Sequence, residues 1–228
     1  MTLVVTLAAE AGRPVPTPQS DSGSLPSRSG ESLLPLPTTT EDFFQPGTQP
    51  RPDSPDEVPF QEFQISFFNC INCHAVEDDD NPAEVVGPYD TWATSMMAQA
   101  SRDPVWQAAL AISNEDTPGS GEYCIRCHAP KAWGSGRSGS ADMSEFILPE
   151  DHDAVSCHFC HRVVDPITST DNPSSDYDIL QQLVTAGTYP EEPGNGRFVF
   201  DPIDTRRGPE TDWGVNMHGA DILVSPHH

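Results

Sequence analysis

Cys70-Ile71-Asn72-Cys73-His74, Cys124-Ile125-Arg126-Cys127-His128 and Cys157-His158-Phe159-Cys160-His161 repeat one pattern three times. Each has two thiols three positions apart and then an imidazole. The chain has six cysteines, and these stretches use them all. In a helical turn, residues i and i+3 lie on one side, so the two sulfurs of each stretch face one object. A zinc site wants four ligands, usually from two such pairs; three pairs leave one over, and a histidine follows every second cysteine. Disulfides between the stretches suit an oxidising compartment but leave the histidines unexplained. A thioredoxin-type redox pair needs a βαβ context, and none surrounds these stretches.

C-x-x-C-H is the pattern by which c-type haem is attached. The two thiols form thioethers with the haem vinyl groups, and the histidine binds the iron from one side. The expectation is therefore three c-type haems, held by Cys70 and Cys73, Cys124 and Cys127, and Cys157 and Cys160. The proximal iron ligands would be His74, His128 and His161.

Composition points the same way. Of 228 residues, 36% are hydrophobic, and there are 24 prolines and 16 glycines. That is little apolar material for a protein-only core, so the macrocycles are expected to serve as core and the haem-free chain to be largely unfolded. The formal charge is −24, from 35 acidic and 11 basic residues. Lys131 is the sole lysine. Such a charge repels a phosphate backbone and an anionic membrane, which argues against nucleic-acid binding. It suits redox partners with basic docking surfaces, and it also keeps a protein soluble.

Residues 1–11 read as an incomplete signal segment: an apolar run from Leu3 to Ala9 ends in Ala9-Glu10-Ala11, without a basic start. The run is too short to span a bilayer, so membrane association is expected only through an N-terminal anchor. Residues 12–59 read as a Pro/Ser-rich disordered linker. Residues 60–228 are the expected three-haem domain. Phe60, Phe63, Ile65, Phe67 and Phe68 lead into the first motif and are expected to pack on the first haem. Asp78-Asp79-Asp80 reads as a solvated loop, because EF-hand spacing is missing.

The coarse pattern is helical turns joined by irregular chain. A helix is predicted over Tyr89–Gln99, and a second from Val105 to Ser113 with Trp106, Ala109 and Leu110 inward. Asp103-Pro104 reads as an N-cap and a first-turn proline. Glu115–Gly121 is predicted as a loop, Trp133–Asp142 as a flexible Gly/Ser-rich stretch, and Asp176–Ala186 as a short helix. Phe198-Val199-Phe200 reads as a brief strand or an extended packing segment. The first cysteines of the motifs, at 70, 124 and 157, follow no even period.

Trp92-Ala93-Thr94-Ser95-Met96-Met97, Arg102-Asp103-Pro104 and Cys124-Ile125-Arg126-Cys127-His128-Ala129-Pro130 resemble a large bacterial family of multihaem cytochromes c. In motif use this family is similar to the cytochrome c-554-type electron carriers. Its G-V-x-C-x-x-C-H-R element is matched by Ala154-Val155-Ser156-Cys157-His158-Phe159-Cys160-His161-Arg162, with Ala154 in place of the glycine; Asp165-Pro166 follows. The resemblance runs from about Phe67 to His228. It implies a mostly α and irregular-coil fold centred on haem. In such proteins a segment like Ser225-Pro226-His227 often precedes a further C-x-x-C-H, so the chain reads as a truncated or shortened member.

Three irons with two protein ligands each need three distal residues. Met97 leads among the methionines, because the family pattern holds it and a thioether raises haem potential; packing within a helix is its competing reading. His218 and His227 sit in otherwise ordinary segments. His158 lies inside the third motif, where exposure competes with reaching a neighbouring haem. His152, flanked by acids, reads more readily as a solvated loop histidine, and His228 ends the chain beside His227. With every iron held twice, no position is open to substrate, and the expected role is electron transfer in the periplasm or outside the cell. The alternative is a subunit or fragment of a multihaem oxidoreductase (nitrite, hydroxylamine or tetrathionate type) or of a cytochrome polymer. Oxidoreductases of that type generally carry more motifs and basic surroundings for an anionic substrate.

Overall fold

The computed structural model describes residues 36–50, 60–75, 87–166, 170–192, 194, 196–210 and 222–225. All of them belong to the unit Leu34–His228. The signal-like segment, most of the proposed linker, Asp78-Asp79-Asp80, His218, His227 and His228 lie outside the described residues.

Short helices and irregular chain dominate. In order they are α1 (Ser66–Asn69), α2 (Ile71–His74), α3 (Pro88–Ala93), α4 (Met96–Gln99), α5 (Pro104–Asp116), α6 (Gly121–His128), α7 (Pro130–Gly134), α8 (Cys157–His161) and α9 (Ser174–Ala186). Two three-residue strands, β1 (Arg206–Gly208) and β2 (Ile222–Val224), pair in parallel with Arg206 opposite Ile222. A mostly helical and coil fold therefore stands. None of the helices described is long and apolar enough to cross a membrane.

Local chemistry sets the helix ends. The Asp103 carboxylate accepts the Val105 N–H at 2.9 Å, and Pro104 occupies the first helical position of α5. The predicted helix over Tyr89–Gln99 is instead two, because Ser95 is extended and its hydroxyl accepts the Ala98 N–H as the cap of α4. A serine offers its hydroxyl to the backbone more profitably at a helix start than in its middle. Helix α5 runs on through Glu115 and Asp116, which shortens the predicted loop. Its buried stripe is Trp106 and Leu110, one turn apart; Ala109 lies outside that stripe and is exposed. Helix α9 starts close to its predicted position and ends at Gly187 in the left-handed region.

Among the described residues, most of the buried apolar side chains gather into two clusters. Phe63, Trp106, Leu110, Ile125, Ala129, Ala132, Trp133, Phe159 and Phe200 form one buried cluster. Its aromatic rings meet edge to face, with Phe63 5.3 Å from Phe60 and from Phe200. Phe63 belongs to this cluster, whereas Phe67 and Phe68 are more than half exposed beside the first motif. A smaller cluster joins Val164, Leu180 and Val199. Phe198–Phe200 is extended chain rather than a strand; Phe200 makes an isolated antiparallel bridge with Val163, and the Val164 N–H donates to the Val199 carbonyl at 2.7 Å.

Two other expectations change. Residues 36–50 are not free tether. Leu36 donates to Asp116, Thr48 N–H donates to Phe198, and the Thr48 hydroxyl and the Phe200 carbonyl lie 3.1 Å apart. Gly47 has φ +125°, and a side chain there would meet the Phe198 carbonyl. The Gly/Ser-rich stretch after Trp133 is packed as well. Trp133 is buried, and Arg137 pairs with Asp151 at 2.5 Å and with Glu62 at 3.0 Å. Lys131 is buried too, donating to Glu62 at 2.8 Å and to the Phe63 carbonyl at 2.6 Å.

Candidate functional site

All three C-x-x-C-H stretches lie in helical turns. The first spans the junction of α1 and α2, the second ends α6, and the third is α8. All six cysteines are free thiols; Cys73 and Cys160 are exposed, and the other four are half-buried.

The second and third histidines are oriented alike. His128 Nδ1 lies 3.2 Å from the Ala100 carbonyl, and His161 Nδ1 lies 2.7 Å from the Arg207 carbonyl. A carbonyl can only accept, so Nδ1 donates in both bonds, and in the neutral ring the lone pair lies on Nε2. Metal-binding imidazoles are commonly fixed in this way. His128 is also stacked flat on Trp106. The exposed His74 completes the first motif.

The third motif is gripped from several sides. Ser156 caps α8 by accepting the Phe159 N–H at 3.2 Å. Trp92 Nε1 donates to the Val155 carbonyl at 2.7 Å, and the Val155 N–H donates to the Met97 carbonyl at 3.2 Å. The Trp92–Met97 element therefore holds both backbone groups of the residue ahead of the Ser156 cap. Arg162, fully buried, donates to the carbonyls of Asp201 and Gln61 and covers the faces of Phe60 and Phe63 at 4.7 and 4.9 Å. Arg207, whose carbonyl receives His161, is buried between Asp176 at 2.6 Å and Asp201 at 2.8 Å.

The first and third motifs meet at Ser66. The Cys70 N–H donates to the Ser66 carbonyl at 2.9 Å, and the Cys157 N–H donates to the Ser66 hydroxyl at 3.2 Å. Asp153 in turn accepts the Ser66 N–H and hydroxyl at 2.9 and 3.0 Å.

The distal candidates separate. His158 is buried, which overturns the exposed reading. Its Nδ1 accepts the Gln64 N–H at 2.5 Å, and its Nε2 donates to Asp204 at 2.6 Å. Both nitrogens are committed, so His158 is withdrawn as a ligand candidate in this arrangement. His152 is half-buried rather than solvated. Its Nδ1 lies 3.2 Å from the Ser101 hydroxyl, which leaves Nε2 as the nitrogen for a metal. The Met97 side chain is half exposed on α4. Among the described residues, no three His, Cys, Asp or Glu side chains converge to hold an ion by themselves.

The donor set suits haem. Each motif offers paired free thiols and an imidazole, and two of those imidazoles have Nδ1 bound away. Beside the second motif, Trp106 Nε1 is a buried donor with no partner among the described residues. The ties of His158 to Gln64 and Asp204, of Cys157 to Ser66 and of His161 to Arg207 escape sequence reasoning, because they join positions far apart in the chain. Arg162 had a signal, as the arginine that follows the third motif. Comparison with protein-family models, with curated proteins and with solved structures returns no match.

Proposed function

We propose that this chain is an electron carrier of the multihaem cytochrome c type, exported to the periplasm or beyond, with three covalently attached haems. The reading rests on the three helical turns that each present two free thiols followed by an imidazole, with His128 and His161 held by Nδ1 so that Nε2 is left for iron. Cys70 and Cys73, Cys124 and Cys127, and Cys157 and Cys160 would hold the haems, and His74, His128 and His161 would bind the irons. The bound groups supply one-electron iron couples. The protein fixes ring orientation through Ala100, Trp106 and Arg207, and Ser66, which accepts the Cys70 and Cys157 N–H groups, ties the first and third attachment turns to one residue. His152 and Met97 are the distal ligands favoured among the described residues; His218 and His227 remain further candidates for that role. The acidic surface would recruit basic redox partners.

The test is mass spectrometry of the acid-denatured protein made in a haem-attaching host, with the spin state of each iron read by electron paramagnetic resonance. Three retained haems, all low-spin, are expected. No covalent haem sinks the reading. A high-spin haem favours the alternative in which the chain belongs to an oxidoreductase.

A further inference from the structure

We infer that residues 36–49 form a strap that holds the second C-x-x-C-H turn in place, and that Gln49 is a positioning residue acting on this turn through Arg126. The strap's effect on a haem rests on the haem reading above. Arg126 stands between Cys124 and Cys127, and its side chain is fully buried. A buried guanidinium needs its donors met. Nη1 donates to the Gly196 carbonyl at 2.7 Å. Nη2 donates to Gln49 Oε1 at 2.9 Å and to the Glu122 carboxylate at 3.2 Å. Nε has no partner among the described residues, so the group has no hydrogen bond to spare. The shorter of the two Nη2 bonds is the one that Gln49 accepts.

The strap is fixed along its length. The Leu36 N–H donates to the Asp116 carbonyl at 3.1 Å, and the Thr38 hydroxyl donates to the Pro118 carbonyl at 2.9 Å. The Thr39–Thr40 peptide lies against Gly119, at φ +87°, where a Cβ would come within 2.5 Å of it. Asp116 ends α5 and Gly119 precedes α6, so this end of the strap grips the loop that delivers the second motif. Ser120 gives α6 no side-chain cap, and the helix start depends on how that loop is held. Further along, the Gly47 N–H donates to the Thr188 carbonyl at 2.7 Å and the Thr48 N–H to the Phe198 carbonyl at 2.9 Å. The Phe200 N–H donates to the Thr48 hydroxyl at 3.1 Å. Gln49 follows directly, so its amide reaches Arg126 from backbone that is itself held. Helix α6 is clasped ahead of its first turn and again in the turn that ends at His128. Without the Gln49 acceptor, Nη2 keeps only the longer Glu122 contact, and the turn between the two thiols must open to satisfy its buried donor.

The experiment uses the full chain made in a haem-attaching host, with hydrogen exchange read by mass spectrometry on peptides of α6 and α8. Gln49→Leu keeps the bulk and removes the acceptor, whereas Gln49→Glu keeps an acceptor oxygen. Gly47→Val displaces the strap at Phe198 by an independent route. Exchange in α6 should be about tenfold faster in Gln49→Leu and in Gly47→Val, as the loss of a hydrogen bond to a charged group requires, with α8 unchanged. Gln49→Glu should match the parent chain. Unchanged α6 exchange in Gln49→Leu, or an equal rise in α8, overturns the strap. Electron paramagnetic resonance then reads each iron. Gln49→Leu should alter one low-spin signal, the same one that Trp106→Phe alters, and Gln49→Glu should restore it. Three unchanged signals, or three altered ones, overturn the positioning role and leave the strap. A chain without covalent haem overturns the haem reading, and the positioning of a haem with it, while its α6 exchange still decides the strap.

Discussion

The imidazole of His128 lies flat on the indole of Trp106, with centroids 4.9 Å apart and planes within 9°. The stack and the Ala100 carbonyl together fix the ring that ends the second motif. Trp106 is also a buried member of the main core. Trp106→Phe keeps an aromatic face and should cost about 1 kcal/mol. Trp106→Ala leaves a cavity as well and should cost about 3–5 kcal/mol. Urea unfolding measures both. In the haem-loaded protein, the spectrum of one haem should change and the other two should not; a change spread over all three would mean that Trp106 acts only through the core.

Ala154 turns the chain between His152 and the third motif, at φ +52° and ψ −133°. That backbone suits glycine, and a Cβ there is strained. Ala154→Gly should stabilise the protein by about 1 kcal/mol, and Ala154→Val should destabilise it by more than that. A shift of the urea midpoint to lower concentration in Ala154→Gly would show that no strain is stored here.

His158 is held neutral. Burial pushes its pKa down to about 4; the Asp204 carboxylate opposes this, and the Arg162 and Arg206 guanidiniums reinforce it. The unfolded imidazole titrates near 6.5, so between that value and about 4 the unfolded chain binds the extra proton. Stability therefore falls as pH drops through this window and is kept above it. Replacing His158 with Gln should flatten that part of the stability–pH curve. An equal slope in the variant would place the acid sensitivity elsewhere. Glu62, held at about 2 by Lys131, Ser135 and Arg137 against the opposing effect of its burial, adds a separate loss only as pH falls from its ordinary value of 4.5.

Much of this architecture was legible in the chain. The Asp103-Pro104 helix start follows from local chemistry, and so do the helical turns that carry the cysteines. What was not legible is tertiary. Thr48 and Gly47 look like linker until Phe198 and Phe200 lie beside them. Trp133 to Arg137 looks flexible until Glu62 and Asp151 satisfy its cations. His158 reads as exposed because nothing near it in sequence reveals Gln64 and Asp204. Composition does not show which residues gather: five aromatic residues, Phe63, Trp106, Trp133, Phe159 and Phe200, cluster with Leu110, Ile125, Ala129 and Ala132 from distant parts of the chain.

Met97 and His152 can be told apart by single substitutions. If the Met97 thioether is a distal ligand, Met97→Ala should convert one haem to a high-spin form that binds cyanide or imidazole, and lower its potential. If it is not, the spectrum should stay unchanged, because the Val155 N–H bond uses only the Met97 backbone carbonyl. His152→Ala should give the same signature at a different haem. Two silent variants would move the search to His218 and His227.

Electron exchange with a partner should depend on salt. The chain carries a net charge of −24, and its one lysine is buried in an ion pair with Glu62. Three other cations, Arg126, Arg162 and Arg207, are buried as well, so they add little positive charge to a docking face. Attraction to a basic partner should then dominate encounter, and the second-order rate should fall steeply as ionic strength rises through the range where charges are screened beyond about 10 Å. Stopped-flow reduction by a basic donor protein, repeated at several salt concentrations, measures this. The same preparation is assayed with nitrite, hydroxylamine and tetrathionate. Fast, salt-sensitive exchange without turnover is the behaviour of a carrier. A salt-independent rate would remove the acidic surface from the docking argument, and sustained turnover of any of these substrates well above that of free haem would make the chain part of an enzyme.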